Sequence, residues 1–137
     1  MKLIRILSAI VLVAVALLRI ASCNNYGKKL TFNGGDLFYT SQVTEAEAKK
    51  LGEFLVKEQF FDGAKKTVQL NKTGGTYEFR MVAKAGTDKD QKMVDLAKSF
   101  AKQISRDVFN GSDTVIHLCD DHLKTLRVVP EKTSVNN

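Results

Sequence analysis

Residues 117–122 form the densest group of side chains that could perform chemistry, with the sequence His-Leu-Cys-Asp-Asp-His. His117 and Cys119 are two residues apart, so on a β-strand they project from one face, and His122 can approach from the following turn. Imidazole and thiolate are ligands that zinc and copper prefer, which makes these three residues a candidate metal site. Their spacing matches no established ligand pattern, so an exposed cluster without a metal is the competing interpretation.

The rest of the chain contains no recognisable catalytic constellation. The sequence has no nucleophile elbow, no paired catalytic carboxylates and no CxxC motif. The pairs Gly34-Gly35 and Gly74-Gly75 lie in predicted hairpin turns, and no helix N-terminus follows them to complete a phosphate cradle. We therefore assign no catalytic residue and no cofactor, and we predict that the protein is not an enzyme.

Three predicted β-hairpins position these side chains. In the central hairpin Tyr77, Phe79 and Met81 alternate with more polar residues, which is the period of a half-buried strand, and Gly74-Gly75 forms the turn. Similar hairpins are predicted at residues 30–39 and 115–129. The inward-facing residues of the first two hairpins align, which indicates an internal duplication.

Two helices are predicted between the hairpins. Thr44 and Glu47 have the spacing of a capping box that begins a helix extending to about Phe60, and Gly52 in its middle suggests a close approach to the sheet. The second helix begins after residues 87–90. Its apolar residues recur at helical spacing: Met93, Ala97, Phe100, Ala101, Ile104 and Val108.

The resulting order, ββα-ββα-ββ over residues 30–129, predicts an α+β two-layer sandwich. We expect a mostly antiparallel sheet of five to six strands, covered on one face by both helices. The central β-α-β-β-α-β order relates this arrangement to the ferredoxin-like fold. Because that fold leaves no free edge for residues 30–33 to pair with the first core strand, the strand order stays open.

A sheet covered on one face exposes the other, and alternation assigns four candidate residues to this uncovered face: Phe38, Arg80, His117 and Arg127. The two arginines occupy equivalent places in the second and third hairpins. One interpretation is a solvated face with no function. The other is a docking surface for a peptide, a protein partner, a second copy of the chain or an anionic ligand, with the arginines as anchors.

Residues 1–22 have the composition of a secretory signal peptide, with a basic start and an apolar run from Ile6 to Leu18. The following Ile20-Ala21-Ser22-Cys23 resembles the lipobox of bacterial lipoproteins, which implies that Cys23 becomes the lipidated first residue of the mature chain. Arg19 departs from that pattern, so an uncleaved N-terminal membrane anchor is the alternative. Its apolar run is shorter than the roughly 20 residues that span a bilayer. Residues 23–29 are then a short linker, and residues 130–137 a flexible tail.

The charge of the chain excludes one class of partner. Three of its 21 Lys and Arg residues lie in the leader, which leaves 18 basic against 15 acidic residues in the remainder, a net charge of +3. A nucleic-acid surface would need a basic stripe with interleaved aromatic residues, so we expect no nucleic-acid partner. The sequence instead predicts an extracytoplasmic, membrane-anchored domain of the cell envelope that acts as a binding or assembly module. A metal-binding protein or metal-dependent enzyme is the alternative.

Overall fold

The computed structural model of the chain describes residues 25–130. The predicted signal peptide or anchor, the predicted lipidation site Cys23 and the predicted tail after Pro130 lie outside these residues. Among residues 25–130, no helix has the length and apolarity needed to cross a membrane.

The described residues form six strands and two long helices, which confirms the predicted α+β class. In chain order they are β1 (Lys28–Phe32), β2 (Gly35–Tyr39), α1 (Glu45–Lys57), β3 (Lys66–Thr73), β4 (Thr76–Val82), α2 (Gln91–Asp107), β5 (Thr114–Cys119) and β6 (Thr125–Pro130). A single 3₁₀ turn, Thr87–Lys89, precedes α2. The first strand begins at Lys28, two residues ahead of Leu30, where the sequence analysis placed its start.

All six strands belong to one sheet, in the order β1-β2-β3-β4-β5-β6. The three hairpins are antiparallel, whereas α1 and α2 each connect two parallel neighbours, β2 with β3 and β4 with β5. This order differs from the ferredoxin-like one, in which another strand separates the two strands that a helix connects. In this sequential order β1 lies at the edge of the sheet and pairs with β2 alone. The pairing of the first hairpin, which the ferredoxin-like order did not allow, is thereby explained. The duplication itself stays a prediction.

Helix α1 begins as its capping box predicts: the Thr44 hydroxyl accepts from the backbone N–H of Glu47, and the Glu47 carboxylate accepts from the N–H of Thr44. Gly52 is buried, and a Cβ at this position would overlap the ring of Phe32 on β1. The predicted close approach of this helix to the sheet is therefore confirmed.

The core lies between the helices and one face of the sheet. The largest fully buried side chains are Phe61, Phe79, Leu37, Leu51, Leu55, Leu70, Ile104, Ile116 and Leu118. Helix α2 inserts Val94, Ala97, Ala101 and Ile104, while Met93 is 41% exposed. The predicted apolar stripe of α2 is thus wrong at Met93, because the buried side of the helix passes through the neighbouring Val94.

Candidate binding face of the sheet

The cross-strand register places one row of side chains on the sheet face opposite the helices, which we call the uncovered face. Successive partners across β2 to β6 are Phe38, Gln69, Arg80, His117 and Val128. Each alternates with a core residue of its own strand, so the row points away from the helices. The structure therefore brings together Phe38, Arg80 and His117, three of the four predicted binding residues.

Arg127, the fourth predicted residue, lies on the other side of the sheet. It pairs with the buried Leu118, and its Nη1 donates a 2.8 Å hydrogen bond to the carbonyl oxygen of Asp88, just ahead of α2. A register shift between Leu118 and Cys119 makes β6 irregular here, and Val128 occupies the position opposite His117. A displacement of one residue exchanges the faces of a strand, so the predicted equivalence of Arg80 and Arg127 is wrong.

The Arg80 guanidinium is half-buried and contacts neutral groups. Its Nη2 donates a 2.8 Å hydrogen bond to the carbonyl oxygen of Leu123, and its Nη1 lies 3.4 Å from Nδ1 of His117. Its Nε is buried without a hydrogen-bond partner. Among residues 25–130, no carboxylate forms an ion pair with this cation.

The surroundings of His117 favour the neutral form of its ring. Burial lowers the pKa of this imidazole, and the Arg80 cation lowers it further, against the opposing effect of Glu78. Nδ1 of the ring faces Nη1 of Arg80 at 3.4 Å. The same Nδ1 lies 2.9 Å from the hydroxyl oxygen of Thr125, with which it shares a hydrogen bond.

Residues 25–27, which we call the N-terminal strap, fold back over the uncovered face. The side-chain amide of Gln69 donates a 2.8 Å hydrogen bond to the carbonyl oxygen of Tyr26, and the Tyr26 ring meets Phe38 edge-on at 5.5 Å. The Tyr26 hydroxyl donates to the carbonyl oxygen of His122 at 3.1 Å. Two of the chain's own segments, the strap and the β5–β6 turn, therefore cover the centre of the face that the sequence analysis left open.

The β5–β6 turn has a rigid internal structure. The Asp120 carboxylate accepts hydrogen bonds from the backbone N–H groups of Lys124 and His122, both at 2.9 Å, and these bonds lower its pKa. Leu123 is buried, and its backbone has a positive φ of 58°. Its carbonyl oxygen faces Arg80, so the Arg80 side chain connects the turn to β4.

The three predicted metal ligands do not converge. The Nδ1 atom of His117 is engaged with Thr125, and the thiol of Cys119 is fully buried, bonded to the carbonyl oxygen of His117 at 3.4 Å. Burial raises the pKa of that thiol, so the metal-binding thiolate is disfavoured. The His122 ring lies at the surface beside Asp121. Within residues 25–130, no three His, Cys, Asp or Glu side chains are placed to hold a metal ion.

The comparison with known families gives one match. The AF_1994_N family N-terminal domain matches residues 29–131, which include β1 to β6 apart from Lys28 and make up well over half of the chain. The chain belongs to this family. No curated protein and no solved structure matches the chain. The family description specifies a domain and no activity, so a function has to be argued from the surface itself.

The two edges of this AF_1994_N domain differ in character. At the β1 edge Lys28 and Lys29 are exposed, and edge lysines prevent pairing with other strands. At the β6 edge Leu126 and Val128 are exposed, by 48% and 47%. The sequence analysis missed this edge. The signal that could have revealed it is the aliphatic pair on either side of Arg127, in the last predicted strand of the chain.

Proposed function

We propose that this domain is a non-enzymatic binding module of the bacterial cell envelope, which is held at a membrane by its N-terminal segment and binds a protein partner through strand β6. The observation that carries the proposal is the exposed aliphatic pair Leu126 and Val128 on an edge strand. Isolated exposed aliphatic residues are common, but on a sheet edge they accompany a row of backbone N–H and C=O groups without a neighbouring strand.

A strand of the partner would extend the sheet beyond β6. In this mode of recognition the backbone hydrogen bonds supply affinity, and alternate side chains supply specificity. The C-terminal half of β6 is firmly held in the sheet, because Val129 is buried and pairs with Ile116. Val128 projects to the uncovered face beside His117, where it would contact a side chain of the added strand.

The membrane location is supported by the sequence of the leader. A basic start, an apolar run and the lipobox-like Ile20-Ala21-Ser22-Cys23 favour export and lipidation. The intact mass of the membrane-extracted protein tests this part of the proposal. We expect a chain that begins at Cys23 and carries acyl groups, and we expect no such species from Cys23→Ser. A mass that begins at Met1 would indicate an uncleaved anchor instead.

The binding role is tested by cross-linking in the native cell envelope. The double variant Leu126→Lys, Val128→Lys places two lysines, two residues apart, on β6. On β1 the single change Thr31→Lys gives the same arrangement, because residue 29 is already a lysine. We expect the wild type and the β1 variant to form the same cross-linked species, and the β6 variant to lose it at an unchanged melting temperature. Retention of that species by the folded β6 variant would overturn the proposed binding edge.

The alternative, a metal-binding protein or metal-dependent enzyme, has less support. Its three ligands would be His117, Cys119 and His122, and the thiol among them is buried while the two imidazoles have separate partners. A metal could bind only after the β5–β6 turn had rearranged and the hydrogen bonds of Asp120 had broken.

A further inference from the structure

The N-terminal strap fixes the side of the domain from which the leader emerges. Strand β1 begins at Lys28 on the sheet edge, and Gly27, with a φ of 100°, turns the chain over the uncovered face. The Tyr26 carbonyl is bonded to Gln69 on β3, which lies two strands inward from β1. Tyr26 is only two residues from Lys28, which is at most about 7 Å of extended chain. Its ring meets Phe38 on β2, so Tyr26 lies about one strand spacing, ~5 Å, inside the edge, and the Gln69 side chain reaches it from β3.

The distance between Tyr26 and the proposed anchor is short. Cys23 precedes Tyr26 by three residues, and three residues span at most about 11 Å when fully extended. A lipidated cysteine places its backbone at the bilayer surface, because its acyl chains enter the hydrocarbon. As long as the strap is bound to the sheet, the bilayer surface can be no farther than this from Tyr26.

An orientation with the helices against the bilayer does not fit this distance. To bring the helices against the bilayer, the chain would have to travel about 5 Å back to the edge of the sheet. It would then have to pass the helix layer, which is about 10–12 Å thick by itself. Three residues cannot cover both distances.

We infer that the uncovered face of the sheet lies against the lipid bilayer, with α1 and α2 directed away from it. The inference rests on the proposed anchoring at Cys23. It deepens the proposed function because β6 then points sideways, along the membrane. A partner that extends the sheet at β6 would be bound to, or embedded in, the same membrane.

The charges of the uncovered face do not favour this orientation by themselves. Lys29 and Lys124 are exposed, but Asp36 lies on the same face and Asp121 in the same turn. Basic residues near an anionic surface are attracted to the headgroups, and the acidic neighbours offset that attraction here. We therefore expect the strap to determine the orientation, with little dependence on salt or on the fraction of anionic lipid.

The test compares a fluorophore on the two faces of the lipidated full-length chain. Both labelled proteins carry Cys119→Ser, so that the introduced cysteine alone is labelled. Thr31→Cys places an environment-sensitive label on β1 at the uncovered face, and Ser99→Cys places it on the exposed side of α2. The labelled proteins are incorporated into vesicles of phosphatidylethanolamine and phosphatidylglycerol that contain a nitroxide-headgroup lipid. We expect quenching at residue 31 to exceed quenching at residue 99 several-fold. Tyr26→Ala, which frees the strap, should remove most of this difference while the protein stays folded and bound.

The outcomes separate this inference from the proposal on which it rests. Equal quenching at both positions in a vesicle-bound, acylated protein would overturn the orientation and leave the anchor intact. A protein that carries no acyl group and does not sediment with vesicles would overturn the anchor, and the orientation with it. Persistence of the full difference in Tyr26→Ala would overturn the role of the strap.

Discussion

The Arg80 guanidinium donates a 2.8 Å hydrogen bond to the carbonyl oxygen of Leu123, 43 residues later in the chain, while its own Nε stays buried and unpaired. The bond connects the central strand β4 to the β5–β6 turn, and Nη1 of the same side chain approaches His117. Arg80 therefore holds the turn in place rather than standing free to capture a ligand. Removing this half-buried cation would leave the carbonyl oxygen of the buried Leu123 without its donor.

This relationship predicts the effect of Arg80→Met. The apolar stem is kept, but the donor to Leu123 is lost, and we expect the free energy of unfolding to fall by about 1–3 kcal/mol. Arg127→Met is the matched control, since Arg127 is exposed and its loss should cost no more than about 0.5 kcal/mol. Urea denaturation measures both changes. Hydrogen exchange should increase at residues 120–124 in the Arg80 variant alone, and equal effects of the two substitutions would contradict the assignment.

Local signals predicted the elements of this fold well. Glycine turns, period-two alternation and the capping box at Thr44 depend on residues a few positions apart, so a single sequence carries them. The same signals predicted three hairpins, two helices and the buried position of Gly52. They also assigned Phe38, Arg80 and His117 to the correct face, because each lies in a regular part of its strand.

Two features that decide the surface were not predictable in this way. Arg127 lies on the helix side because β6 pairs with β5 one residue out of the phase that the sequence analysis assigned, and aliphatic residues occur in both phases of this strand, at Leu126 and Val128 and at Val129. The strap depends on contacts between distant residues, such as Tyr26 with His122, 96 positions apart. The strand order also could not be predicted from local signals, since it depends on which strands lie side by side after each crossover helix.

Gly52 allows a test of the α1–β1 contact. Alanine normally stabilises a helix interior by about 1 kcal/mol relative to glycine. At Gly52, however, the added methyl would overlap the ring of Phe32, which stacks on Phe61 with a centroid distance of 6.4 Å. We expect Gly52→Ala to destabilise the domain by about 1–3 kcal/mol, as overpacking does. Thermal unfolding measures the change.

Two companion variants identify the cause of that loss. Ser99→Ala lies on the exposed side of α2 and should be neutral or slightly stabilising. Adding Phe32→Leu to Gly52→Ala should cost less than the sum of the two single changes, because the smaller side chain relieves the overlap. Strict additivity, or a stabilising Gly52→Ala, would show that the ring moves aside freely.

The surroundings of the Glu47 carboxyl predict how the free energy of unfolding depends on pH. Partial burial would raise the pKa of this carboxyl, but hydrogen bonds from Tyr77 and Thr44, together with the Lys72 ammonium, lower it below its ordinary value of 4.5. A carboxylate with a lowered pKa stabilises the folded state above its unfolded-state pKa and loses that contribution as the pH falls through the folded value. We expect Glu47→Gln to cost about 1 kcal/mol at pH 7.

The cost of Glu47→Gln should shrink as the pH falls below 4.5, because the wild-type carboxyl then becomes protonated. Denaturation at pH 7, 4.5 and 3 follows the difference between the two proteins. Glu45→Gln serves as the control, since its ion pair with Lys49 is more than half exposed and should contribute no more than about 0.5 kcal/mol. A cost that is constant across this range would contradict the role of the charged Glu47.

The metal hypothesis predicts a result that we do not expect to see. A metal that binds the folded state at 100 times its dissociation constant stabilises it by about 2.7 kcal/mol, which raises the melting temperature by several degrees. Because the Cys119 thiol is buried and His117 is already bonded, we expect no rise on adding Zn²⁺ or Cu²⁺ to chelator-treated protein. A rise that disappears in His117→Ala would restore the alternative function.

Gly27 and Gly86 form a matched pair that tests the strap. Their φ angles are 100° and 88°, so alanine is strained at both positions. Only at Gly27 would the added methyl also collide with another part of the chain, the carbonyl group of Tyr39, whereas nothing lies within 4 Å at Gly86. Gly27→Ala should therefore displace residues 25–27 from the sheet, and Gly86→Ala should not.

Hydrogen exchange and the vesicle assay together report that displacement. In Gly27→Ala we expect faster exchange at β1 and at residues 120–124, since the strap bonds the His122 carbonyl in the β5–β6 turn. The lipidated variant should also lose the difference in quenching between residues 31 and 99, while Gly86→Ala retains it. If Gly27→Ala loses the exchange protection but keeps the orientation, the short chain between Cys23 and Lys28 is sufficient by itself, and the contacts of Tyr26 are not what directs the uncovered face toward the bilayer.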